Sequence, residues 1–185
     1  MIDQILNDQK SRMKKAVENT AREMAVIRTG KASPALLDNI RVECWGGLHP
    51  IKQVAGISAP EPRLIVIQPF DPSTSDAIVR AIQKSDLGLR AAADGPVVRI
   101  PVPKLSDDRR KELSRHVKKL AESGRTAIRN IRRSGNDELH KASKASDITE
   151  DEEYKTLSDI QDAANEAIAE IDKYLESKEA EILEV

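Results

Sequence analysis

The sequence predicts an α+β protein: an elongated three-helix bundle into which a small β/α/β domain is inserted after the first helix. Three observations predict it. All nine prolines of the 185 residues fall between Pro34 and Pro103. Proline removes a backbone donor and clashes with the preceding helical turn, so the flanking segments can run as unbroken helix while the window demands strands and turns. The proline-free segments repeat apolar residues at alternating spacings of three and four, and the window holds short β-branched runs bounded by turn signals.

The first segment places Ile2, Leu6, Gln9, Met13, Ala16, Thr20, Met24 and Ile27 along one seam of heptad character. A second helix is expected from Ser106, where Ser-Asp-Asp supplies an N-cap and acidic first-turn residues that suit the helix dipole. Its seam runs Leu113, Val117, Leu120, Gly124, Ala127, Ile131. Gly124 sits at a seam position and suits close packing, whereas Gly135 lies beside the seam and suits fraying. After a short polar link around residues 143–149, a third seam follows: Leu157, Gln161, Ala164, Ile168, Ile171, Leu175, Lys178 and Ile182. The short link makes the last two helices antiparallel neighbours, and the first completes the bundle. A period near 3.5 implies nearly parallel axes crossing at roughly 20°.

Within the window, Ile40, Val42 and Cys44 alternate with polar residues and end at Gly46-Gly47, a hairpin signal. Residues 63–68 form the strongest strand. A helix over 73–84 turns Ala77, Ile78, Ala81 and Ile82 to one side, with Ser73 or Ser75 as cap. Residues 97–103 make a last strand that its prolines confine to an edge or an exit. The expected division is residues 1–29 with 106–185 as bundle and 30–105 as insert. Two linkers join them, Thr29-Gly30-Lys31 and Lys104-Leu105-Ser106. They are read as a hinge in which Gly30 absorbs backbone change, or alternatively as a rigid elbow.

Composition narrows the function. Aromatics are 2% of residues, too few to line a large small-molecule pocket. The single Cys44 excludes an intramolecular disulfide and any multi-cysteine zinc site, and fits a reducing cytoplasm. No export signal or membrane span is expected. His49, His116 and His140 lie in unrelated contexts, and no glycine cluster precedes a lysine and helix start in phosphate-loop order, so neither a catalytic site nor a nucleotide, metal or cofactor site is expected.

A net charge of −1 conceals strong asymmetry. Residues 104–133 carry 11 Lys or Arg against 4 Asp or Glu, a net of +7, while residues 147–185 carry 3 against 14, a net of −11. Basic and acidic helices pairing along their flanks account for this, and so does a basic face that holds a polyanion. Arg125, Arg129 and Arg132, at i, i+4 and i+7 with Arg133 beside them, form a stripe rotated off the seam. Guanidinium groups so placed grip phosphates bidentately, or they bridge to acids of the third helix.

At Ile-Arg-Thr-Gly-Lys-Ala-Ser-Pro, residues 27–34, the sequence resembles the ribosome recycling factor family. The likeness continues through Ser-Asp-Leu-Gly-Leu at 85–89 and Leu-Ser-Asp-Asp-Arg-Arg-Lys-Glu-Leu at 105–113. It extends to Ile-Arg-Asn-Ile-Arg-Arg at 128–133 and Lys-Glu-Ala-Glu at 178–181, in order along the chain. Cys44-Trp45 departs from the aromatic pair usual in the family and leaves the packing of that strand open.

The resemblance implies an L-shaped, tRNA-sized monomer that is not an enzyme. It would bind the post-termination 70S ribosome, with its bundle on the 23S rRNA of the 50S subunit, and act with elongation factor G and GTP to split the subunits. It implies RNA contact by Arg129, Arg132 and Arg133, Arg132 foremost, with Arg125 on the same stripe and Arg28 and Lys31 beside the hinge. Similar helices and arginines would also suit a coiled-coil tRNA-binding arm of a synthetase, which would need a catalytic domain this length cannot hold, or a helical protein adaptor.

Overall fold

The computed structural model describes residues 1–184. Helix α1 (Ile2–Val26) is followed by a 3-10 turn (Pro34–Leu37), strands β1 (Arg41–Cys44) and β2 (Gly47–Pro50), and the single turn α2 (Ile51–Val54). Strands β3 (Ala55–Glu61) and β4 (Leu64–Pro69), a 3-10 turn (Pro72–Thr74) and helix α3 (Ser75–Gln83) come next. Strands β5 (Ala92–Asp94) and β6 (Val97–Pro101) precede the long helices α4 (Asp107–Lys144) and α5 (Glu150–Glu184). The chain divides into two compact units, Met1–Arg28 with Asp108–Glu181, and Thr29–Asp107 with the residues from Ile182.

In the first unit the 38 residues of α4 extend about 57 Å at 1.5 Å per residue. Side-chain partners fix the directions. Arg125 meets Asp172, Arg132 meets Gln161 and His140 meets Glu153, so α4 and α5 run antiparallel. A Cβ on Gly124 would lie 2.5 Å from Thr20 Oγ1 and 3.0 Å from Ile171 Cδ1, so α1, α4 and α5 close on one another at that layer. Gly135 is also a seam residue and does not fray. It is buried, and its missing side chain admits Gln9, whose carbons would stand 2.9 Å from an added Cβ. Gln9 itself is fully buried, with neither amide atom hydrogen-bonded among the described residues.

The buried stripes differ from the expected seams by one residue at several places. On α4, Ala121 and Ile128 are fully buried while Leu120, Ala127 and Ile131 are half-buried; on α1, Val17 displaces Ala16. On α5, Thr156, Ile160 and Ala167 are buried where Leu157, Gln161 and Ile168 flank. Each helix faces two neighbours, so its buried stripe is wider than one heptad row and centres between two rows.

The turn between α4 and α5 has its own chemistry. Ser146 takes a left-handed φ of 59°, and its N–H and that of Asp147 donate to the carbonyls of Ser143 and Ala142, closing α4 in a Schellman motif. Helix α5 then opens with a capping box. Thr149 N–H donates to Glu152 Oε2 at 2.8 Å and Glu152 N–H returns to Thr149 Oγ1 at 3.2 Å. The Thr149 backbone N–H holds the Glu152 carboxyl below its usual value of 4.5, and Ser143, then His140, do the same for Glu153. A depressed carboxyl stabilises the fold fully above its unfolded value and loses that contribution as pH falls through the folded one. Urea midpoints should therefore drop as pH is lowered through the ordinary glutamate value, and drop less in Glu152→Gln and Glu153→Gln; equal profiles would show that the helix start is indifferent to these charges.

The smaller unit carries an antiparallel sheet ordered β3-β4-β6-β5 and a separate β1-β2 hairpin. Pairs Ile65↔Ile100 and Ile67↔Val98 face inward and meet Ile78 and Ile82 of α3, together with Leu37, Val42, Ile51 and Val54. Strand β6 is interior, not an edge; its prolines are tolerated because Pro101 ends it and Pro103 lies beyond. Strand β3 carries no clear sequence signal, and its Pro60 sits where an edge strand accepts it. The 3-10 turn before α3 is capped by Asp71, whose Oδ1 accepts from Ser73 N–H at 2.9 Å, instead of by Ser73 or Ser75.

The hairpin turn is Trp45-Gly46, with φ of 52° and 77°, and Gly47 already belongs to β2. Both central residues are left-handed, as a two-residue type I′ turn requires. Trp45 is exposed, edge-on to the His49 ring at 5.6 Å, and its indole N–H reaches Asp71 Oδ2 at 3.4 Å. Cys44 packs half-buried against the core, which answers how that strand sits.

Candidate nucleic-acid interface

Helix α4 buries Leu113, Val117, Ala121, Gly124, Ile128, Gly135, Leu139 and Ala142. At 100° per residue, Arg132 lies about 60° from the centre of that stripe, Arg125 about 80°, Arg129 about 120° and Arg133 about 160°. The four arginines therefore span the flank toward α5 and the outward face, and their surroundings differ accordingly.

Arg125 bridges the helices. Its Nε donates to Asp172 Oδ1 at 2.9 Å and its Nη1 to Glu122 Oε2 at 3.1 Å, leaving 22% of the side chain exposed. The Asp172 bond raises its already high pKa, outweighing the loss of hydration, which acts in the opposite direction. Arg125 thus follows the salt-bridge alternative. Arg129 is exposed but shares Glu122, donating to Oε1 at 2.8 Å. Those two bonds, Arg129 first, hold Glu122 below the usual carboxylate value.

Arg132 is half-buried. Its Nη1 donates to Gln161 Oε1 at 2.9 Å, and Gln161 Nε2 donates onward to Asn165 Oδ1 at 2.8 Å. Its Nε is buried without a hydrogen-bond partner among the described residues. The guanidinium is therefore held in one orientation by a neutral chain of amides that leaves its charge unneutralised. Arg133 is exposed and forms no ion pair among the described residues.

The outward face is longer than the arginine stripe. Lys111 and Arg115 are exposed and unpaired among the described residues, and they stand 18 residues before Arg129 and Arg133. Eighteen residues is five helical turns, so these pairs point the same way about 27 Å apart. The sequence carries this signal only as an i, i+18 recurrence, which the local cluster at Arg125 to Arg133 does not reveal. Glu122 is the acid between the two pairs on this face, and it is engaged by Arg125 and Arg129.

Arg28 and Lys31 are exposed: Arg28 follows the end of α1 in the larger unit, and Lys31 follows Gly30 in the smaller one. In that unit Gly30 adopts a φ of 77°, and an added Cβ would lie 2.9 Å from Leu105 Cγ. The residues on either side of the insert, Thr29-Gly30-Lys31 and Lys104-Leu105-Ser106, thus meet through that contact. Among the described residues no cluster of His, Cys, Asp or Glu is placed to hold a metal, and no helix is long and apolar enough to cross a membrane.

Comparison with known proteins gives one consistent result. The family model described as ribosome recycling factor matches residues 20–183. The ribosome-recycling factor of Halalkalibacterium halodurans is 49% identical over 185 residues, covering all of both chains. That of Rubrobacter xylanophilus is 46% identical over 97% of each. Among solved structures, a solution structure of the ribosome recycling factor superposes with a TM-score of 0.68 at 38% identity, covering 100% of this chain and 98% of the other. A T. thermophilus ribosome recycling factor, placed with E. coli elongation factor G on the E. coli post-termination complex, gives 0.62 at 41% identity over 99% of each chain.

Proposed function

This chain belongs to the ribosome recycling factor family, and from that membership we propose that it binds the post-termination ribosome through large-subunit 23S rRNA and, with elongation factor G and GTP, promotes splitting of the subunits. It acts as a monomeric, cytoplasmic translation factor. The supporting observation is the outward face of α4, where Lys111, Arg115, Arg129 and Arg133 recur over five turns and Arg132 is pre-oriented by Gln161 on the flank. Cations along a straight rod make phosphate contacts that position the protein without reading sequence. A relative stands beside elongation factor G on a post-termination complex, which supports the same partners here.

The bundle of residues 1–29 and 106–185 serves as the anchor and residues 30–105 as the lever. Thr29, Gly30, Lys31, Lys104, Leu105 and Ser106 form the joint, and Arg28 and Lys31 add contacts beside it. The left-handed φ of Gly30 supports this reading, since it gives the joint a backbone conformation that a side chain would obstruct. When elongation factor G pushes on the lever, rotation about the two linkers carries the force into the anchored bundle.

Cosedimentation with purified ribosomes across a salt series tests the anchor. The logarithm of the association constant should fall linearly with the logarithm of salt, by about 0.7–0.9 per phosphate neutralised. A flat response would rule out phosphate contact as the source of affinity.

A further inference from the structure

The smaller unit carries a groove of about 610 Å³ between the β1–β2 hairpin and α3, built differently from the α4 face. Strand β1 turns Val42 inward, so Arg41 and Glu43 point away from the core. Leu48 is the cross-strand partner of Glu43 and shares its side of the hairpin, 63% exposed. Opposite, α3 commits Ile78 and Ile82 to the core and leaves the small side chains of Ala77 and Ala81 half-buried along the groove, with Arg80 and Lys84 exposed at its rim. Ile40, Leu48, Ala77 and Ala81 give the groove an apolar strip within a mixed lining, and cations stand on both sides.

Those cations are not neutralised. Elsewhere on this unit, Lys52 pairs with Asp38 and Arg99 with Asp94, each at 2.7 Å. Arg41 and Lys84 form no ion pair among the described residues, and Arg80 spends only its Nε, on the Asp76 carbonyl of its own helix at 3.3 Å.

We propose that this groove docks an acidic amphipathic helix of a protein partner. Ala77 and Ala81, one turn apart, let a helix approach closely. Leu48 supplies an apolar contact for its buried stripe, and Arg41, Arg80 and Lys84 meet acids on its flanks. Glu43 receives a basic residue. A nucleic-acid backbone would use the cations alone: it would leave Leu48 in water, confront Glu43, and find no aromatic ring for its bases in the groove. The groove lies wholly within the smaller unit, so its occupancy does not depend on the role given to α4.

The test titrates isotope-labelled full-length protein with three probes. These are a synthetic helix carrying leucines at i, i+3, i+4 and i+7 with glutamates on its flanks, polyglutamate of equal charge, and a single-stranded RNA oligonucleotide. The amphipathic peptide should shift the backbone amides of residues 39–43 and 77–85, and Leu48→Asp and the double variant Arg80→Glu, Lys84→Glu should each weaken it at least about tenfold, the equivalent of 1.4 kcal/mol. All the substituted side chains are exposed, so the variants should fold, and an unchanged spectrum elsewhere checks that. No shift at these amides overturns the proposal. So does RNA or polyglutamate binding there as tightly as the peptide, or a Leu48→Asp variant that binds like the parent, since either would leave only a site for anions.

Discussion

Replacing Arg129, Arg132 and Arg133 together by alanine is expected to weaken ribosome binding roughly a hundredfold, about 3 kcal/mol. Each charge-assisted contact to phosphate is worth about 1.5–3 kcal/mol net when well formed. The three are exposed to different degrees and do not act independently, so the expected loss falls below even the smallest sum of three such contacts, about 4.5 kcal/mol. Alanine is the best helix former, so α4 should keep its helix and the loss should report on binding. Arg125→Ala is the matched control. It removes the same charge from the same helix, but from a side chain already committed to Asp172 and Glu122, so its main effect should fall on the α4–α5 contact. Arg132→Ala alone should exceed Arg129→Ala, because Gln161 fixes the first guanidinium while Glu122 partly neutralises the second. Affinity at one fixed salt concentration, with subunit splitting followed by light scattering in the presence of elongation factor G and GTP, checks all of these. A triple variant within twofold of the parent in both would remove α4 from the anchor.

The second large effect concerns folding. Gly124→Val should destabilise the bundle by about 3 kcal/mol, because overpacking a filled core costs about 1–3 kcal/mol and a β-branched residue gains little helix propensity to offset it. The added Cβ alone would sit 2.5 Å from Thr20 Oγ1 and 3.1 Å from Thr20 Cγ2. Thr20 cannot simply swing away, since it is buried and its hydroxyl donates to the Ala16 carbonyl at 3.0 Å. For a chain of this size the loss corresponds to a fall in Tm of about 6–12 °C. Thr20→Ala removes both colliding atoms, so the pair Thr20→Ala, Gly124→Ala should recover most of the loss of Gly124→Ala, a coupling that a double-mutant cycle measures. Independent effects of the two substitutions would mean that the helices do not close at this layer.

Much of the fold is legible because its signals are local. Three long helices follow from proline-free heptad patterning, and the strands at 41–44, 64–69 and 97–101 from β-branched runs beside turn residues. Strand β3 escapes a sequence reading because its Gly56, Ser58 and Pro60 carry little strand propensity; it forms because β4 offers it hydrogen bonds along one edge. The cap before α3 lies one turn earlier than expected, since a 3-10 segment lets Asp71 act in place of a serine. Gly135 looks like a fraying residue because its purpose lies on another helix, in the buried amide of Gln9. Among the candidate contact residues, type and helix are legible. Their partners are not, because Asp172 and Gln161 lie 47 and 29 residues away along the chain.

Where helix is possible, where it must stop and which helix carries the cations follow from the order of residues, because proline chemistry, side-chain branching and charge act within a few residues of chain. Which arginine faces what depends on the packing of the helices. A helix fixes the angle between its own side chains but not the directions from which its neighbours arrive. Once α1 and α5 took two sides of α4, the same residue type became a helix-to-helix bridge at Arg125, an oriented half-buried cation at Arg132 and an outward one at Arg133.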